Sequence, residues 1–212
     1  MGDPLSLDAA RAAHMIGLAL GFGLAIWADV MAARSVVTPI AARDVTLLRM
    51  IHRAILGGLV LLWVSGLYLL HARTGFDLSK FSPKLMLKLA VVILLTANAL
   101  VIGRYALPVY SQNVARRFGE IDLTLRMRLA CIAAVSLSCW ISALALGVFS
   151  QLKPMSAEGL QAVFAPLFLI GLIGAVAITF LAGIAALAAR RMDVEWPRDT
   201  RVKRVPTRPL HG

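Results

Sequence analysis

The chain has 212 residues, 59% of them hydrophobic and only 16% charged, with a mean hydropathy of +0.80, far more apolar than a soluble domain of ordinary composition. Water is the wrong solvent for such a chain, and a single compact membrane bundle is the economical reading. The formal net charge of +11 does not point to nucleic acid, because the Lys and Arg residues fall between apolar blocks, where bilayer topology accounts for them.

The opening residues carry Asp3 and Asp8 and no Lys/Arg-rich leader, so we expect no removed signal peptide and a retained first helix. Five blocks are long enough to span about 30 Å of hydrocarbon at 1.5 Å per residue. They lie near Ala9 to Ala33, Met50 to His71, Leu85 to Leu107, Leu129 to Phe149 and Leu160 to Ala189. The expected fold is an all-α membrane protein, a bundle of five transmembrane helices over residues 1–192. A basic, disordered cytoplasmic tail is expected over 193–212, where Pro197, Pro206, Pro209 and His211 stand among many charges.

Arg34, Arg43, Arg49 and Arg53 follow the first block, Arg104, Arg116, Arg117, Arg126 and Arg128 follow the third, and the tail adds five more cations. With five spans these regions share one side, and the positive-inside rule makes that side cytoplasmic and puts the N-terminus outside. The segment Pro108 to Arg128, with Phe118, Ile121, Leu123 and Leu125 among charges, reads as a short amphipathic helix on the cytoplasmic surface. Cys131 and Cys139 are eight residues apart in one block, about 12 Å along a helix, too far for a disulfide.

Ionisable groups inside spans are expensive and are therefore functional suspects. Alternating helix direction sorts them. His14, His71 and Lys88 fall in one outer layer, whereas His52 lies about 28 Å from His71 along the same helix. His14 with His71 or Lys88 can share a site between neighbouring helices, and imidazole is the common ligand of haem iron. Gly17, Gly21, Ala25 and Ala28 form a small-residue strip below His14; it accommodates either a flat macrocycle or a close helix crossing. Asp29 is expected to pair with Arg53 or Arg104, Asn98 to bond between helices, Lys88 to snorkel outward if it has no ligand role, and His52 to lie at the inner interface. Met15, Met86, Cys131 and Cys139 are soft ligands that keep copper open as an alternative.

Three stretches together resemble the HemJ-type and CopD-like membrane proteins. They are His14-Met-Ile-Gly-Leu-Ala-Leu-Gly-Phe-Gly, then Leu48-Arg49-Met50-Ile51 running on to Ser65-Gly66-Leu67-Tyr68-Leu69, and Pro83-Lys84-Leu85-Met86-Leu87-Lys88-Leu89. The similarity covers about the first half of the chain. It implies that His14 and Lys88 occupy the histidine and lysine positions associated with haem and activity; from helix depth, and not from the resemblance, His71 or Lys88 is expected to supply or support the opposite face of the haem. The chain departs from the pattern at Asn98 and Arg104, where a third-helix histidine is common, and at Trp27-Ala28-Asp29. The resemblance implies a bacterial inner-membrane protein with haem b, a tetrapyrrole substrate and a quinone acceptor, and Lys88 in a catalytic role. A CopD-like copper protein is the second expectation. The third is a non-catalytic bundle whose small-residue strip meets a membrane-protein partner or a second copy.

Overall fold

A computed structural model describes residues 3–195. No strand occurs among them, and five helices are long and apolar enough to cross a membrane. The helices are α1 (Pro4–Arg34), α2 (Ala42–Thr74), α3 (Pro83–Val101), α4 (Leu107–Gln112), α5 (Leu123–Val148) and α6 (Ala157–Glu195). A π turn, Ile102–Ala106, joins α3 to α4, so the two form one continuous span. Many large apolar side chains, among them Leu20, Val60, Ile93, Leu169 and Ile184, face outward. In water this would be a liability, and in a bilayer it is the lipid-facing surface.

The helix ends follow local chemistry. Pro4 and Pro83 stand in first turns, where a missing N–H costs nothing. Ser82 Oγ accepts from the Leu85 amide to start α3, and Asp122 Oδ1 accepts from the Thr124 and Leu125 amides to start α5. At the end of α2, Gly75 adopts φ 62° and its N–H donates to His71 O, the left-handed stop that glycine tolerates best. Asp77 then closes the turn, its carboxylate accepting from the Ser79 amide (3.0 Å) and hydroxyl (2.7 Å). The Ser79 hydroxyl, with the Ser79 amide and Lys80 adding to it, holds this carboxyl below its usual value. A depressed acid contributes order above its unfolded pKa and loses it as the pH falls through the folded one. The protection factors of amides in residues 75–82, measured against the intrinsic exchange rate at each pH, should therefore fall on acidification below the usual carboxylate range. Asp77→Asn should show the lowered protection already at neutral pH.

Glycine brings α1 and α2 together. A Cβ on Gly17 would stand 2.9 Å from Gly58 O, and one on Gly58 would stand 3.1 Å from Gly17 O. Only glycine allows this approach. On the other side, α6 packs along α5, where Gly171 lies against Ser138 and Gly183 against the buried Arg126 guanidinium. Arg126 donates to Gly119 O at 3.0 Å. The α3–α5 contact is tied by Asn98, whose amide donates to Ile132 O at 3.1 Å, the interhelical bond expected of it.

One expectation needs correction. Residues 108–128 do not form one amphipathic surface helix: α4 continues the third span, a single helical turn follows at Phe118–Glu120, and α5 begins at Leu123. Phe118 and Ile121 are buried in the core there, so their apolar side chains serve packing between helix ends. Helix α6 runs to Glu195; the rest of the expected tail, with His211, lies outside the described residues. Cys131 and Cys139 are both free, in keeping with their spacing.

Candidate functional site

Four spans enclose two cavities stacked along the bundle. One, termed outer because it lies at the end where α1 begins, the end expected to face outward, has about 570 Å³ and is lined by the start of α1, the end of α2, the start of α3 and the end of α5. The inner one, about 120 Å³, is lined by the opposite ends of the same helices, including α4. Helix α6 lines neither. His14 and Lys88 line the first cavity and His52 the second.

Between the cavities lies an apolar partition about one helical turn thick. Leu62 and Val92 face the outer side, Leu59 and Leu95 the inner side. Trp140 of α5, 1% exposed, reaches across to α1, where a Cβ on Gly21 would stand 2.1 Å from the indole. The small-residue strip is therefore filled by α2 and Trp140. Gly17 and Gly21 are helix-crossing residues here, and neither lines the outer cavity.

His14 does line the outer cavity, and its Nδ1 lies 3.0 Å from Ser65 Oγ. The Ser65 hydroxyl donates its one proton to Leu61 O at 2.6 Å, so towards His14 it is an acceptor. With the imidazole proton on Nδ1, the lone pair is left on Nε2, the tautomer a metal ligand needs. Gly66 makes room for the ring: a Cβ there would meet His14 Cε1 at 3.3 Å. Ser65 and Gly66 stand in the sequence only as part of a motif. Their roles as orienting partner and as space for the imidazole emerge from the packing of α1 on α2.

Arg11, Arg73 and Lys88 line the same cavity, and no Asp or Glu does. Arg11 pairs with Asp8 at 2.8 Å at the exposed rim. Lys88 makes no hydrogen bond or ion pair with a described residue, and its charged neighbours, Lys84 and Arg73, have the same sign. Lys84 is engaged elsewhere, donating to Phe149 O at 2.7 Å. Uncompensated like charges around a half-buried cavity mark a place for an anion. The remaining walls are Leu18, Leu62, Leu70, Leu89 and Val92, with Trp63 fixed by its Nε1–H donating to Thr96 Oγ1 at 3.0 Å.

No family model, curated protein or solved structure matches this chain.

His71 is brought to the right depth but not to the cavity. Its side chain is exposed, its ring stacks on Phe76 (centroids 5.1 Å apart, 34° between planes), and it does not line the outer cavity. The cause is local: the left-handed pair Gly75–Phe76 folds the chain back so that Phe76 covers the imidazole. In this geometry it does not share the outer cavity with His14. Among the described residues no three of His, Cys, Asp and Glu converge on a point that would hold a metal ion.

Proposed function

We propose that the chain is an inner-membrane haem-binding protein with a redox role, its outer cavity holding b-type haem through His14. The observation that carries this reading is the pairing of a ligand-ready imidazole with an apolar cavity whose charged lining is entirely cationic. The residues suit the group. A volume of about 570 Å³ falls within the range of small-molecule sites. Arg73 and Lys88 supply partners for the two propionates, and the leucine and valine walls suit the macrocycle. Haem bound there would supply one-electron chemistry, with the potential set by axial ligation and burial.

The chain's own residues orient and exclude. Ser65 fixes the tautomer of His14, Gly66 gives the ring its place, and Trp63 and Leu62 keep water from that face. Lys88 is assigned to holding a carboxylate and, with a tetrapyrrole substrate, to positioning it. With the arginine-rich ends placed in the cytoplasm, the cavity faces the outer half of the bilayer, where a quinone acceptor can reach it. The copper reading has no cluster of donors in its favour.

The test is a visible spectrum of the full chain purified in mild detergent from cells supplied with haem, oxidised and then reduced with dithionite. A Soret band that shifts on reduction is expected. Its absence, both as purified and after reconstitution with haem, sinks the reading.

A further inference from the structure

The inner cavity contains a group that the outer site does not use. Asp29 lines it, and the Oδ2 atom of Asp29 is buried with no hydrogen-bond partner. The arginines expected to neutralise it, Arg53 and Arg104, are both exposed and neither forms an ion pair with it. The phenol that lines the cavity, Tyr110, does not donate to it either. Ser35 Oγ donates to Ala32 O at 2.5 Å, so in its 3.4 Å contact with Tyr110 the phenol is the donor, and its proton is directed to Ser35. A buried carboxyl oxygen left in this way costs free energy unless water or a proton attends to it.

His52 lines the same cavity. It reaches that position because the π turn at Ile102–Ala106 places Gly103 opposite it: a Cβ on Gly103 would stand 2.9 Å from His52 Nε2. Such single-turn π segments inside α-helices accompany functional sites more often than regular helix does. The titratable groups that line the cavity with Asp29 are His52 from α2 and Tyr110 from α4; α5 contributes the hydroxyl of Ser136 and no ionisable group. At about 120 Å³ the cavity has room for several waters and is too small for a cofactor. Trp140 and the leucines of the partition close it from the outer cavity.

We propose that Asp29 and His52 form a proton-exchanging site, hydrated from the arginine-rich end of the bundle and separate from the outer cavity. In the exchange the O–H bond of the Asp29 carboxyl breaks as a cavity water or a ring nitrogen of His52 gains the proton, and the reverse step restores it. No electron is transferred, and the site does not depend on haem.

Infrared spectroscopy of the full chain in lipid vesicles, labelled with carbon-13 aspartate and titrated in H₂O and D₂O, tests this directly. Asp29 is expected to give a protonated-carboxyl band that carries the isotope shift, moves in D₂O within the mixing time, and disappears as the pH rises. Asp29→Asn should remove the band, and Asp29→Glu should restore one without the aspartate isotope shift. His52→Ala should move its titration midpoint by about one pH unit or more. The absence of such a band, a band insensitive to D₂O, or a midpoint unchanged in His52→Ala overturns the proposal. If Asp29→Asn fails to fold, the labelled wild type and Asp29→Glu still decide. The same spectra taken on haem-free protein separate this outcome from that of the outer site.

Discussion

His14→Ala should abolish the Soret band of the purified chain, while His52→Ala and His71→Ala should each retain it. The asymmetry follows from the geometry. His14 alone among the described histidines lines the outer cavity, His52 is on the far side of the partition, and His71 is turned out against Phe76. Ser65→Ala should weaken haem retention by about 10- to 100-fold without abolishing it, the usual effect of losing the group that orients a metal-bound imidazole. Gly66→Leu should behave more like His14→Ala, because its side chain would occupy the space in which the ring stands. Circular dichroism and detergent gel filtration would establish that each variant is folded. Equal loss of haem from the His14 and His52 variants would mean that the iron is not in the outer cavity.

Removing positive charge from the same site should act differently. Lys88→Met and Arg73→Gln should leave the Soret position unchanged and raise the apparent dissociation constant of haem, each by about tenfold, as expected when one charge-assisted contact is lost. The effect should shrink when haem dimethyl ester replaces haem, since the ester has no carboxylate for these residues to hold. Equal effects on acid and ester would remove Lys88 and Arg73 from the propionate role.

The spans and their layers are legible in the sequence because hydropathy is nearly one-dimensional. Long apolar blocks punctuated by arginine dictate helices of bilayer length, and their alternation sets which residues share a depth. His14, His71 and Lys88 do share one. Rotation about the helix axis is a different matter, because at equal depth a residue faces the interior or the lipid according to packing that involves other helices. His71 is the example: its depth is fixed by its block, and its direction by the turn at Gly75 and Phe76. The glycine strip was equally ambiguous. Gly17 and Gly21 fit either a macrocycle or a neighbouring helix, and the residues that resolve it, Gly58 and Trp140, are remote in sequence. The inner site was concealed for a similar reason. His52 beside Arg53 reads as an interfacial pair until the π turn brings Gly103 against its ring, and Asp29 has an arginine within sequence reach on two helices but meets neither.

Trp140→Ala should be the most damaging single substitution outside the ligand-binding residues. The side chain is almost wholly buried and spans from α5 to Gly21 of α1, and truncating a buried Trp to Ala costs about 3–5 kcal/mol in well-packed cores. Its loss should also join the two cavities, since Leu18 and Ala143 line one side of it and Ala25 and Leu59 the other. In vesicles holding a pH-sensitive dye, the variant should conduct protons where the wild type does not. Gly21→Leu should destabilise the wild-type chain, because even its first carbon would clash with the indole ring. In the Trp140→Ala background the same leucine has space to fill. The double variant should therefore lose less stability than the two single losses added together, and it should be less leaky than Trp140→Ala alone. Residues in direct contact show such coupling, and distant ones do not. Strict additivity in thermal unfolding would show that Trp140 does not rest on Gly21, and the closed partition between the cavities would lose its physical basis.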